Sequence, residues 1–107
     1  MAYAAKVLDA LGDGTRRQVF EIVAQGRTSV AEIAEQLPVS RPAVSQHLRV
    51  LKEARLVKDE AEGTRRYYQL DRAGLVALSA YLDRFWDHSL ERFKVAAERA
   101  AKRGKSQ

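Results

Sequence analysis

Residues 29–56, SVAEIAEQLPVSRPAVSQHLRVLKEARL, carry two helix-start signals separated by a helix-ending proline, and this stretch decides the fold. In residues 29–32 a serine is followed three positions later by a glutamate, which is the spacing of a capping box. Pro38 ends the first helix, because the residue before a proline is pushed out of helical geometry. Ser40 is a good N-cap for a second helix, and Pro42 in its first turn lacks only an N–H that would be unpaired anyway. The stretch therefore predicts a helix, a tight turn and a second helix.

The second helix, predicted over residues 41–54, separates packing side chains from projecting ones. At helical spacing one face carries Val44, Leu48, Leu51 and Arg55, and the opposite face carries Pro42, Gln46, Arg49 and Glu53, flanked by Ser45 and Lys52. We therefore expect the first face to pack on the domain and the second to project toward a partner.

Two helices precede this pair and a hairpin follows it. Apolar residues at helical spacing predict helices over residues 3–11 and 15–25, joined by a Gly-Asp-Gly link. Residues 56–62 and 64–70 predict two strands, and the Glu-Gly-Thr bend between them places two arginines beside the hairpin tip. The predicted fold class is therefore mostly α with a small β-hairpin.

A long final helix is predicted from Asp71, its cap, onward. Its apolar residues keep spacings of three and four as far as residue 97, apart from the adjacent Phe85 and Trp86. This apolar face is longer than one small domain needs, so it predicts a subunit interface, although packing within one chain is the alternative. The chain is expected to form one domain over residues 1–101, followed by a basic, disordered tail over residues 102–107.

Composition excludes several classes of protein. A chain of 107 residues suits a single domain, and with 31% charged residues and no long apolar run it is not predicted to span a membrane. Its start lacks the basic flank and apolar stretch of a secretory signal, so we expect a cytoplasmic protein. No cysteine is present, which removes disulfides, thiolate metal sites and cysteine nucleophiles.

The net charge of +5 is unevenly distributed along the chain. Residues 40–70 hold seven Lys or Arg against four acidic residues, and residues 98–107 hold four against one. A basic stripe favours a polyanionic partner, although a charge excess alone is more often a matter of solubility.

The projecting face of the second helix has side chains suited to the major groove of DNA. Gln46 can make paired hydrogen bonds to adenine, Arg49 can reach guanine or a phosphate, and Ser45 is short and polar. Basic and hydroxyl side chains around such a helix contact phosphates, for which the candidates are Ser40, Arg41, Lys52, Arg65 and Arg66. The predicted partner is double-stranded DNA, and the hairpin would act as a wing.

Two further residues of this helix belong to the candidate DNA surface by position. Pro42 lies on the projecting face. His47 lies about 60° from the centre of the packing face, so a half-buried structural histidine is favoured over a base contact.

Several of these segments resemble the ArsR-like winged-helix repressors. Residues 40–48 (SRPAVSQHL), 50–51 (VL) and 54–57 (ARLV) are similar to the recognition-helix motif of that family. Residues 63–70 (GTRRYYQL) are similar to its wing. The resemblance implies that the predicted fold is a winged helix-turn-helix.

The resemblance covers about residues 3–97 in the expected order. Residues 10–17 (ALGDGTRR) are similar to the inter-helix motif, with Gly14 where the family usually has proline. Residues 81–87 (YLDRFWD) resemble a cysteine-free branch without a recognised metal site. The resemblance implies a homodimer, paired through its first and last helices, that represses transcription at a palindromic operator. The residues expected at the dimer interface are Val7, Leu8, Leu11, Leu78, Leu82, Phe85, Trp86 and Phe93.

Metal sensing, which occurs in relatives of this kind, is not predicted. His88 and Glu91 lie three apart on one helical face and supply at most half of a site. The positions that carry the earlier ligands in metal-sensing relatives hold Leu75 and Ala77, which cannot bind a metal. We therefore predict no metal and no cofactor. Control would come from expression level, from a small organic ligand near the final helices, or from a partner protein.

Two other classes of function stay open. A protein-interaction module with the same fold would explain the packing, but it would not need a polar projecting face flanked by basic residues. Catalysis is least expected, because the chain has no cysteine, no phosphate-binding glycine loop, no paired histidines and no GxSxG-type turn.

Overall fold

The computed structural model describes the backbone of residues 2–105 and the side chains of residues 3–85 and 90–104. In chain order the elements are α1 (Ala2–Gly12), α2 (Gly14–Gln25), β1 (Thr28–Ser29), α3 (Val30–Gln36), α4 (Arg41–Glu53), β2 (Val57–Glu62), β3 (Arg65–Leu70) and α5 (Arg72–Lys105). The fold is mostly helical with a small antiparallel sheet, as the sequence predicts.

Short polar side chains begin the helices at the predicted positions. The Ser29 hydroxyl accepts from the Glu32 N–H at 3.3 Å, and the Ser40 hydroxyl accepts from the Ala43 N–H at 3.3 Å. The Asp71 carboxylate accepts from the Ala73 N–H at 3.0 Å at the start of α5. These caps are confirmed, with one difference in the capping box. The Glu32 carboxylate accepts from the Thr28 hydroxyl at 3.2 Å, instead of the Ser29 backbone N–H.

Helix α4 ends in a Schellman motif. The Leu56 N–H donates to the Leu51 carbonyl at 2.9 Å and the Arg55 N–H to the Lys52 carbonyl at 3.0 Å. Arg55 occupies the left-handed position of this motif, with φ 58°, where glycine is usual. Placing Arg55 on the packing face of the helix was therefore wrong, because the helix ends before it and its side chain is exposed.

The sheet has three strands in the order β1-β3-β2, all antiparallel, whereas the sequence predicts only the β2–β3 hairpin. Strand β1 is two residues long and pairs Thr28 with Tyr68 and Ser29 with Tyr67. A two-residue strand is too short to show the alternating pattern of a strand, so the sequence does not predict it. Gly63, at φ 63°, begins the two-residue turn between β2 and β3.

One apolar core is formed by the four helices α1, α2, α3 and α4 together with the base of the hairpin. Its largest fully buried side chains are Ile33, Leu48, Leu51, Leu56, Val7, Val19, Val23, Val44 and Val57. The packing face of α4 thus contributes Val44, Leu48 and Leu51 as predicted. Within residues 2–105, no helix is long and apolar enough to cross a membrane.

Helix α5 is 34 residues long, and its far end extends well past the core. The principal extents of the chain are 73 × 27 × 20 Å. Residues 102–105 continue this helix, in place of the disordered tail that the sequence predicts from residue 102. The preceding residues are rich in alanine, the best helix former, and basic side chains are favourable at a helix C-terminus.

The start of α5 is pressed against the turn that ends α4. The Gly74 N–H donates to the Arg55 carbonyl at 2.7 Å, and a Cβ added at Gly74 would lie 2.6 Å from that oxygen and 2.8 Å from the Ala54 carbonyl oxygen. Gly74→Ala is therefore expected to lower the free energy of unfolding by about 1–3 kcal/mol, measured by urea denaturation. Gly104→Ala, where a Cβ meets nothing within 4 Å, is the control and should leave stability unchanged or slightly raised. Equal effects of the two substitutions would contradict this account of the junction.

Candidate nucleic-acid interface

Helix α4 presents the polar face that the sequence predicts. Ser45, Gln46 and Arg49 are exposed, while Val44 and Leu48 on the other side have no exposed surface. The buried side chains of α4 pack it against the core, so the backbone positions of its exposed side chains are fixed relative to the domain. Pro42 and Lys52 are also exposed. The geometry required of a recognition helix is present, and the role of each side chain in binding stays a prediction.

His47 lies at the border between the two faces. It is half-buried, and its Nδ1 atom is buried with no hydrogen-bond partner among the described residues. It lies near Asp13, the cap of α2, whose carboxylate accepts from the Arg16 backbone N–H at 2.9 Å, and this hydrogen bond is the main cause that lowers the pKa of Asp13. This placement favours the structural interpretation of His47 over a base contact.

Two of the predicted phosphate-contacting residues meet at one carboxylate. Lys52 Nζ lies 2.8 Å from Asp59 Oδ1, and Arg66 Nη1 lies 2.6 Å from Asp59 Oδ2. The Asp59 side chain is 10% exposed, whereas those of Lys52 and Arg66 are 54% and 55% exposed. The hydrogen bond from Lys52, together with that from Arg66, holds the pKa of Asp59 below its usual value against the opposing effect of burial. We refer to these three residues as the Asp59 bridge.

The Asp59 bridge is not among the features predicted from the sequence, although the hairpin contains a signal for it. Asp59 is opposite Tyr68 in the ladder, so Arg66 is its diagonal neighbour on the same face. A two-residue turn fixes this register. The distance to Lys52, however, depends on how α4 packs against β2, and no local pattern gives that distance.

A second ion pair joins Arg27, the residue before β1, to Glu62 at the end of β2. Arg27 Nη2 lies 2.6 Å from Glu62 Oε2, and its guanidinium carbon lies 4.0 Å from the centre of the Tyr67 ring. The hydrogen bond to Glu62 raises the pKa of Arg27. Because both charged groups are well exposed, this pair contributes little to the stability of the fold.

An open groove of about 550 Å³ lies between the wing and α3. Arg41 from the start of α4 lines it together with Arg65 and Arg66 from β3, and Glu32 and Glu35 line the α3 side. The structure thus brings three of the predicted phosphate contacts around one groove. Ser40 lies just before Arg41 and uses its hydroxyl as the cap of α4.

The predicted interface residues differ in how exposed their side chains are. Leu8, Leu82, Phe85 and Phe93 are exposed large apolar side chains, as a subunit interface requires. Val7 is fully buried in its own chain, which corrects its assignment to the interface, because α1 packs this side chain into the core. Leu11 and Leu78 are half-buried against the same core. The side chain of Trp86 lies outside the described residues.

The half-site of His88 and Glu91 cannot be placed, since the His88 side chain lies outside the described residues. Glu91 is exposed on α5. Among the side chains that the structure describes, no three His, Cys, Asp or Glu residues lie together in a group that could hold a metal ion.

Comparisons with known proteins agree with this geometry. A family model described as bacterial regulatory protein, arsR family, matches residues 13–59. The chain is similar to the HTH-type transcriptional regulator Rv2034 of Mycobacterium tuberculosis, with 63% identity over 81 residues, 76% of each chain. It is 35% identical to the transcriptional repressor SdpR of Bacillus subtilis over 65 residues, 61% of this chain and 72% of the repressor.

A solved structure extends the likeness to most of the fold. The homodimeric winged helix-turn-helix DNA-binding domain of Mb0332 from Mycobacterium bovis, a possible ArsR-family regulator, matches with a TM-score of 0.65 and 33% identity. The match covers 85% of this chain and 84% of that domain.

The Asp59 bridge predicts a specific acid dependence of stability. Because the pKa of Asp59 is lowered in the folded chain, its ion pairs contribute fully above the ordinary aspartate value and are lost as the pH falls through the folded value. Asp59→Asn should therefore be less stable than the wild type near pH 7, and the stability difference should shrink as the pH falls below the ordinary aspartate pKa, as measured by urea denaturation.

Glu60→Gln is the matched control for this measurement. It removes the same charge from the neighbouring, exposed position, on the other face of the strand, without breaking the Asp59 bridge. A stability difference between Asp59→Asn and the wild type that stays constant with pH would contradict the role assigned to the carboxylate.

Proposed function

Because this chain belongs to the arsR family of bacterial regulatory proteins, we propose that it is a homodimeric transcriptional repressor that binds a palindromic operator through α4 and the β2–β3 wing. One observation carries the proposal most directly. Helix α4 has a polar, exposed face opposite a fully buried apolar face, and basic side chains lie around it. A surface of this kind fits the major groove and the phosphates that flank it.

The side chains of α4 and the wing divide the work of binding. Gln46 and Ser45 contact base edges, and Arg49 contacts a guanine or a phosphate. Phosphates are bound by Ser40, Arg41, Lys52, Arg65 and Arg66, which lie at the two ends of α4 and on the wing. The Arg65 side chain makes no hydrogen bond or ion pair within the part of the chain that the structure describes, so its guanidinium is available to a phosphate.

The proposed dimer forms through the exposed apolar side chains of α5 and Leu8 of α1. Winged-helix dimers bind two half-sites about one helical turn of DNA apart, roughly 34–36 Å. Pairing along α5 leaves α4 of each chain accessible, because α4 and the far part of α5 are on different parts of the fold.

Other classes of function fit less well. A protein-interaction module gives no reason for Arg41, Arg65 and Arg66 around one groove, and it would not show retention on duplex DNA that falls with salt. We propose that the chain carries out no catalysis and acts in the cytoplasm, where bacterial DNA lies. Repression is relieved by a change in expression level, by a small organic ligand near α5, or by a partner protein, and not by a metal.

The first test of function is selection of bound duplexes from a random pool, which we expect to return an inverted repeat. On that operator, Gln46→Ala should cost about 1–3 kcal/mol at one base position and relax preference there. Arg65→Ala should instead weaken all duplexes alike and lower the salt slope by about one. Fluorescence anisotropy measures both effects. A uniform loss of affinity in Gln46→Ala would contradict its role in base contact.

A charged substitution in the proposed subunit interface tests whether the chain forms a dimer. Leu82→Glu places a carboxylate on the exposed apolar face of α5, so the chain should sediment as a monomer at micromolar concentration and lose operator affinity by about tenfold or more. Glu91→Lys lies nine residues further, about two and a half turns and so on the opposite side of the helix, and should leave the dimer intact. A wild-type protein that sediments as a monomer would refute the proposed assembly.

A further inference from the structure

The Asp59 bridge joins three elements that bind DNA in the proposed function. Lys52 belongs to the last turn of α4, Asp59 to β2 and Arg66 to β3. One carboxylate, through its two oxygens, therefore links the recognition helix to the wing. The link is direct on both sides, with distances of 2.8 Å to Lys52 and 2.6 Å to Arg66.

Two interpretations of this bridge give opposite effects on DNA binding. In the first, Asp59 is an internal substitute for phosphate and must be displaced by DNA. In the second, Asp59 holds two cations in place while both also contact DNA. The number of N–H donors on Lys52 and Arg66 distinguishes these two interpretations. Lysine has three N–H donors and arginine five, and one on each is shown bonded to Asp59. Both cations are more than half exposed, so each keeps donors for a phosphate.

The burial of the carboxylate also opposes displacement. The Asp59 side chain is only 10% exposed, and releasing both partners would leave a nearly buried charge without compensation. A buried charge that loses its partner is strongly destabilising, so contact with DNA through the remaining donors is the less costly arrangement. The bridge is therefore expected to persist in the complex.

We propose that Asp59 is a positioning residue that sets specificity, because it fixes Arg66 of the wing relative to α4 through Lys52. This inference rests on the proposed function. Phosphate contacts fix the register of a protein on the duplex, and base contacts can discriminate only when that register is held. Cations that are free to move still attract any duplex, but they no longer hold α4 in one register.

The test compares Asp59→Asn with Glu60→Gln, which adds the same charge difference without touching the bridge. Dissociation constants are measured by anisotropy for the selected operator and for a random duplex of equal length. Glu60→Gln should strengthen both complexes by the same factor, so that their ratio is unchanged. Asp59→Asn should strengthen the random complex similarly but weaken the operator complex, which lowers the specificity ratio by about tenfold, or about 1.4 kcal/mol.

Each other outcome overturns the inference. An unchanged specificity ratio in Asp59→Asn means that the bridge does not set register. Tighter binding to the operator means that Asp59 competes with phosphate. Parallel loss on both duplexes, with a lower melting temperature, means that its role is structural. If the wild-type protein binds no duplex, the proposed function fails first, so the two failures are distinguishable.

A measurement on the wild-type protein keeps the test independent of how the variants fold. Nitrogen relaxation at arginine Nε reports side-chain motion on the picosecond to nanosecond scale. Arg66, held by Asp59, should be more ordered than its neighbour Arg65, and it should stay ordered when operator is added. Equal mobility of the two arginines in the free protein would show that Asp59 does not position Arg66.

Discussion

The close backbone contact between the end of α4 and the start of α5 is the constraint on which the rest of the structure depends. The Gly74 N–H donates to the Arg55 carbonyl at 2.7 Å, and the Asp71 N–H donates to the Leu56 carbonyl at 3.0 Å. Helix α4, strand β2 and helix α5 therefore share one turn. Because α4 carries the proposed DNA surface and α5 the proposed subunit surface, this turn, together with the packing of α5 on α1, sets the angle between them, on which the separation of two recognition helices in a dimer depends.

The features of the fold that could be predicted from the sequence are those that depend on interactions between residues close together in the chain. Ser29, Ser40 and Asp71 start helices through side-chain oxygens, and such caps act within three residues, so a sequence shows them directly. Features that depend on distant parts of the chain were not visible. Strand β1 forms because β3 offers it a partner, and the left-handed Arg55 is imposed by the Schellman turn, where a sequence pattern would favour glycine.

The candidate site shows the same division between local and tertiary information. Helical periodicity was enough to separate the exposed Gln46 and Arg49 from the buried Leu48. It could not show that Lys52 and Arg66 share one carboxylate, because that depends on how α4 lies against the hairpin. Val7 illustrates the opposite error. Apolar spacing on α1 marks a buried face equally well whether the burying surface belongs to the same chain or to another.

Because α5 is so long, the stability of its far half depends on assembly of the dimer. Its 34 residues span about 51 Å, and the radius of gyration of 20.0 Å exceeds the roughly 13 Å of a compact chain of this size. The far half of the helix is outside the core, yet it exposes Leu90 and Phe93. A helix in a protein gains most of its stability from packing an apolar face against other parts of the structure, and an isolated helix is only marginally stable. In the proposed dimer, the partner supplies that packing, so the surface that sets operator geometry also stabilises the helix that carries it.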